Sequence, residues 1–236
     1  MSGRLLCAWL VHLYSALGAV IAFIAIHSIE NANFKQAFQL MCVAVAIDAT
    51  DGTLARAARV KEVIPWFDGN RLEDILDYLN YVLVPCVLLL QAELLPSEDA
   101  LWLAALPLVA SAYGFCQKEA KTADHFFLGF PSYWNIVVFY LYVLQTPPWL
   151  NAFVIVILSI LVLVPIRYIY PSRSPRYRLQ TNFFGALWGL ALLFIIFRLP
   201  EPPRQLVIAS LLYPAYYLAL SFWLELRRMR GQVAER

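Results

Sequence analysis

Long apolar runs alternate with short polar stretches along the whole chain. The runs cover residues 5–28, 34–57, 70–92, 100–117, 134–145 with a little upstream extension, 151–168, 182–197 and 205–225. Most approach the roughly 20 apolar residues that a helix needs to cross a bilayer. The pattern predicts an all-α, polytopic membrane protein of about eight transmembrane helices, forming one domain over residues 1–236. Pro65 and the Thr146–Pro147–Pro148–Trp149 stretch interrupt helix continuity, and Pro107 is expected to kink the fourth span. The first run is too long for the core of a signal peptide and no small-residue cleavage site closes it, so it reads as a retained anchor. His12 and Tyr14 near its start read as packing residues.

Basic residues orient the spans. With eight crossings, all but Lys35, Arg198 and Arg204 of the eighteen Lys and Arg residues fall at the termini and in alternate loops on one side. That side is expected to be cytoplasmic, so both termini are too. The protein is therefore expected to be a multi-pass inner-membrane protein.

Composition narrows the picture further. Hydrophobic residues make up 61% and charged residues 14%, far from a soluble average. The net charge of +2 comes from scattered basic residues with no massed stripe, so no nucleic-acid partner is expected. Cys7, Cys42, Cys86 and Cys116 all fall in apolar runs, form no CxxC pair, and read as buried thiols. Glycine-rich phosphate loops are absent.

One stretch breaks the apolar pattern. Residues 48–81, at the junction of the second and third spans, carry seven carboxylates. Acidic groups inside a span are costly and mark function by default. Asp48 and Asp51 are spaced i,i+3, and Glu73 and Asp77 i,i+4, so each pair lines one helix face. Facing each other, the pairs would make a cage of hard oxygen ligands suited to Mg²⁺ or Mn²⁺. Asp74 lies about 100° around the helix from Glu73 and reads instead as a partner for Arg71. Asp68 and Glu62 read as solvated loop charges. Gly52 and Ala55 leave the helix surface bare beside the first pair. Arg56 follows one turn on, where a guanidinium can clamp a phosphate.

This stretch resembles the signature of the CDP-alcohol phosphotransferase family. That signature is Asp, two residues, Asp-Gly, two residues, Ala-Arg, a spacer, Gly, three residues, Asp, three residues, Asp. Asp48, Asp51, Gly52, Ala55, Arg56, Gly69, Glu73 and Asp77 fill it, with Glu73 in place of the usual third Asp. The spacer holds twelve residues where the commonest form holds eight. The longer spacer, with the stretches 67–81, 125–135 and 170–178, is similar to the branch that condenses CDP-diacylglycerol with free choline. The resemblance implies two Mn²⁺ or Mg²⁺ ions held by Asp48, Asp51, Glu73 and Asp77, with Asp77 also the general base. It implies a CDP site at Asp48, Gly52, Ala55, Arg56 and Gly69, and a homodimer by analogy.

Choline would be held by aromatic faces, for which Tyr81, Tyr133 and Trp134 are the candidates. Arg173, Arg176 and Arg178 are candidates for a lipid phosphate. Two alternatives stay open. One is another branch of the family with a different acceptor, such as a phosphatidylserine synthase. The other is a divalent-cation transporter, disfavoured because no internal repeat or paired broken spans are evident.

Overall fold

A computed structural model describes residues 3–117, 126–169 and 178–234. It is helical almost throughout. The order is α1 (Gly3–Glu30), α2 (Phe34–Ala57), α3 (Val60–Val63), α4 (Gly69–Asp77), a π-helical segment (Tyr78–Leu83), α5 (Val84–Gln91), α6 (Ala100–Phe115), β1 (Phe126–Leu128), α7 (Trp134–Leu144), α8 (Pro148–Leu163), β2 (Arg167–Ile169), α9 (Arg178–Phe197), α10 (Arg204–Ser210) and α11 (Leu212–Ala234).

Helices α1 and α2 form an antiparallel hairpin. Ala32 turns the chain in the left-handed region at φ 54°, and the Asn33 side chain caps α2 by accepting from the Gln36 N–H at 3.2 Å. Small residues let the two backbones approach: Ser15, Gly18, Ala22 and Ala25 on α1 and Ala37 and Ala44 on α2 are all buried. The packed stripe of α2 runs Ala37, Met41, Ala44 and, one turn further, Asp48. The face that buries α2 in the bundle thus delivers its first carboxylate to the interior.

The third apolar run is continuous but not regular. Between α4 and α5 the Val84 N–H reaches back to the Leu79 carbonyl, five residues away. Pro85 explains the wider turn. It has no N–H for the Tyr81 carbonyl, and its ring would collide with that carbonyl in an α-helix. The twelve-residue spacer before α4 folds as α3 and a loop. Val60 and Ile64 pack against Ala8 and Val11 of α1, with Phe67 beside them.

Several sequence expectations are corrected here. The fifth span does not extend upstream of Trp134: Pro131 precedes it and Ser132 has φ 56°, a conformation no helix uses. The sixth run ends at Leu163, because Val164 is forced extended before Pro165 (ψ 124°). Beyond it β2 pairs antiparallel with β1, Phe127 opposite Tyr168, so the fold carries a small strand pair that the all-α expectation lacked. Gly129 makes this junction: it has φ 83°, and a Cβ there would lie 2.3 Å from the Val162 carbonyl oxygen. The last run breaks between α10 and α11, three residues before Pro214, which cannot donate to Ser210.

Among the described residues, four helices can each cross a membrane by length and composition: 3–30, 34–57, 179–197 and 204–228, the last counted across the break. Helices α6 and α8 are shorter, and α7 has 11 residues, about 16 Å of rise against a core of about 30 Å. The interior centres on Phe38, Leu88, Leu89, Phe139, Ile155 and Ile195. The outer surface is apolar as well; Phe23 is 73% and Trp102 74% exposed, as lipid-facing positions allow. For the same reason apolar context did not mean burial for every thiol. Cys86 is buried and Cys42 half-buried, but Cys7 and Cys116 are exposed.

Candidate active site

The carboxylates come together between α1, α2 and the α4–π segment, in an open cleft. Asp48, Asp51, Glu73 and Asp77 all line it. Carboxylate oxygens of Asp48, Glu73 and Asp77 lie within 4.8 Å of one another. Asp51 stands outside that triad, and its Oδ2 accepts from the Ser15 hydroxyl at 2.7 Å. Helix α4 sets the phase of its two acids. Asp68 begins it, accepting from the Asn70 and Arg71 N–H groups at 3.1 and 3.2 Å, so it is a helix cap and more than a loop charge. It also pairs with Arg71 at 3.3 Å, so Arg71 is engaged by Asp68 and not by Asp74 as the sequence suggested. From that start Glu73 and Asp77 turn inward, while Asp74 is exposed. Glu62 is a surface charge 4.0 Å from Arg59.

The donor set is purely carboxylate, with no nitrogen or sulfur in the triad, which is the chemistry of a hard divalent cation. A cation bonded at about 2.1 Å to opposed oxygens spans about 4.2 Å, so a small side-chain rotation closes the triad on an ion. The residues present therefore fit the divalent metal.

The remaining signature residues flank this centre. Gly52 follows Asp51 on α2; a Cβ there would lie 3.4 Å from Arg56 Nη1. Arg56 folds back to donate from Nη2 to Thr53 at 2.9 Å, and Ala55 is half-buried on the same turns. Gly69 opens α4 directly beneath His12, and a Cβ at Gly69 would lie 2.9 Å from His12 Cε1. The His12 ring is buried, 4.3 Å from the Phe67 ring, in keeping with a packing role. None of these four signature residues lines the cleft itself.

The aromatic candidates separate. The Tyr81 hydroxyl donates to Asp48 Oδ2 at 2.8 Å, and the residue lines the cleft. Tyr133 is half-buried, with its ring 6.4 Å from Tyr217 and 6.5 Å from Phe127. Trp134 has no exposed face to offer. It is 0% exposed, its indole N–H donates to Ser111 at 2.8 Å, and Ser111 in turn bonds Ser132 at 2.9 Å. Of the basic candidates, Arg173 and Arg176 lie outside the described residues and Arg178 opens α9. Sequence reasoning missed Ser15 and Asn80. Both line the cleft, yet each looks like an ordinary polar interruption of an apolar run.

Membrane-length apolar helices beside three converging carboxylates define the class, a helical membrane protein with an acidic centre that could hold a divalent cation. No family model matches the chain. It is 40% identical over 223 residues to the phosphatidylcholine synthase of Legionella pneumophila, covering 92% of this chain and 88% of that protein. It is 39% identical to the phosphatidylcholine synthase of Legionella bozemanae, covering 87% and 98%, and 30% identical to that of Pseudomonas aeruginosa, covering 95% and 94%. The chain belongs to the phosphatidylcholine synthase family.

Proposed function

We propose that this protein transfers the phosphatidyl group of CDP-diacylglycerol to choline, giving phosphatidylcholine and CMP. The observation that carries this reading is the convergence of Asp48, Glu73 and Asp77 within 4.8 Å, in a chain whose relatives are named phosphatidylcholine synthases. Asp48, Glu73 and Asp77, with Asp51 beside them, would hold two Mn²⁺ or Mg²⁺ ions. When bound, those ions supply charge compensation to the diphosphate. Asp77 accepts the proton of the choline hydroxyl at its carboxylate. The choline oxygen then bonds to the phosphorus that carries diacylglycerol, and the bond to the CMP oxygen breaks. Gly52, Ala55 and Gly69 form a low-profile surface for the nucleotide, with Arg56 able to swing from Thr53 to a phosphate. The quaternary ammonium, which offers no N–H, is held against aromatic faces, with Tyr133 and the ring of Tyr81 as walls. Any of Arg173, Arg176 and Arg178 would serve the lipid phosphate.

In this reading the chain crosses the inner membrane eight times, with both termini and the site in the cytoplasm, where CTP-derived nucleotides are made. Lys35 donates to the Phe197 carbonyl at 2.8 Å, which supports a shared face for Lys35 and the adjacent Arg198. The test offers purified protein CDP-diacylglycerol with labelled choline, serine, glycerol phosphate or inositol, with Mn²⁺, Mg²⁺ or EDTA. Choline alone should be incorporated, and EDTA should abolish incorporation. Incorporation of another acceptor in preference to choline overturns the reading.

A further inference from the structure

Three side-chain hydrogen bonds tie the three walls of the cleft to one another. The Ser15 hydroxyl on α1 donates to Asp51 Oδ2 on α2 at 2.7 Å. The Tyr81 hydroxyl on the π-helical segment donates to Asp48 Oδ2 on α2 at 2.8 Å. The Asn80 amide, from the same segment, donates to the Gly18 carbonyl on α1 at 3.1 Å and to the Leu76 carbonyl at 2.9 Å. α1, α2 and the π-helical segment thus form a closed triangle. All three donors line the cleft, and Asn80 is 5% and Ser15 7% exposed.

We propose that Tyr81 and Ser15 are positioning residues that aim the two α2 carboxylates, and that Asn80 locks the helix pair on which they act. The proposal rests on the carboxylate centre described above being the reacting centre. A carboxylate at the end of a side chain with two free torsions needs a fixed donor to hold its second oxygen in one direction, and such outer partners set the affinity of an inner ligand group. The alternative role for Tyr81, an aromatic wall for the acceptor, uses the ring and not the hydroxyl. The two roles therefore separate on removal of a single oxygen.

The experiment measures Mn²⁺ binding to the purified full-length protein by electron paramagnetic resonance, alongside KM for choline, for Tyr81→Phe, Ser15→Ala and Asp48→Asn. Tyr81→Phe keeps the ring and should weaken Mn²⁺ binding about tenfold or more, with the choline KM nearly unchanged. Ser15→Ala should weaken Mn²⁺ in the same direction, and it tests the triangle by a variant that removes no bulk. Wild-type Mn²⁺ affinity in both variants overturns the proposal. A raised choline KM in Tyr81→Phe with wild-type Mn²⁺ affinity overturns it in favour of an acceptor contact. Wild-type Mn²⁺ affinity in Asp48→Asn instead overturns the metal reading of the centre, whatever the other variants do.

Discussion

At Glu73 and Asp74 two adjacent acids have opposite fates because a helix turns about 100° per residue. The Asp68 cap fixes where α4 begins, and the phase then sends Glu73 inward and leaves Asp74 exposed. Asp48→Asn, Glu73→Gln and Asp77→Asn are expected to lower turnover at least about a hundredfold, since each removes compensating negative charge from a metal site. Asp74→Asn should stay within about twofold of wild type, as an exposed surface change does. CMP release by solubilised protein measures both. Membrane insertion should be unimpaired, because neutralising an acid lowers the insertion cost. An inactive Asp74→Asn beside an active Glu73→Gln would reassign the ligand. For the acceptor, Tyr133→Leu should raise the choline KM roughly thirtyfold, the equivalent of a desolvated cation–π contact of about 2 kcal/mol. The KM for CDP-diacylglycerol should be unchanged. A fall in kcat alone would make Tyr133 a packing residue.

Among the elements, the α1–α4 contact shows how a signature glycine can have a packing reason. A Cβ at Gly69 falls 2.9 Å from the His12 ring, and His12 is wedged against Phe67, so the ring has little room to retreat. Gly69→Ala is expected to cost about 1–3 kcal/mol of stability through overpacking. His12→Ala should relieve it, so the double variant is less destabilised than the sum of the two changes. Thermal unfolding in detergent across the four proteins measures the coupling; additive effects would show that the contact with His12 is not what constrains Gly69. The π-helical segment has a similar local cause. Pro85 removes a donor, and the widened turn is where Asn80 and Tyr81 both reach cleft partners. Pro85→Ala should leave the protein folded and lower activity about tenfold if the wide turn is what sets those two side chains, as a thermal-unfolding and activity comparison would reveal.

Across the whole molecule, the orientation argument depends on the shorter helices. Helices α6, α7 and α8 cross in full only if flanking segments complete their path, since α7 rises about 16 Å. Single-cysteine labelling from either side of sealed vesicles is expected to place residues 99 and 176 on opposite faces. Labelling of both from one side would remove the eight-span topology.

The apolar periodicity determined the helical membrane class and the α2 boundaries, which the structure reproduces at Phe34 and Ala57. The i,i+3 and i,i+4 spacings determined which acids share a face, and three of the four expected ligands do converge. These are properties of a single helix, fixed by 3.6 residues per turn and readable without neighbours. Tertiary structure alone decided what crosses between helices. It set the Tyr81–Asp48 and Ser15–Asp51 bonds over separations of 33 and 36 residues, the pairing of β1 with β2, and the burial of Trp134 on Ser111. In an apolar chain a serine, an asparagine or an indole looks the same facing lipid, a neighbouring helix or a cleft. Its partner exists only once the backbones have packed, and packing depends on small residues, prolines and turns acting together over the whole chain.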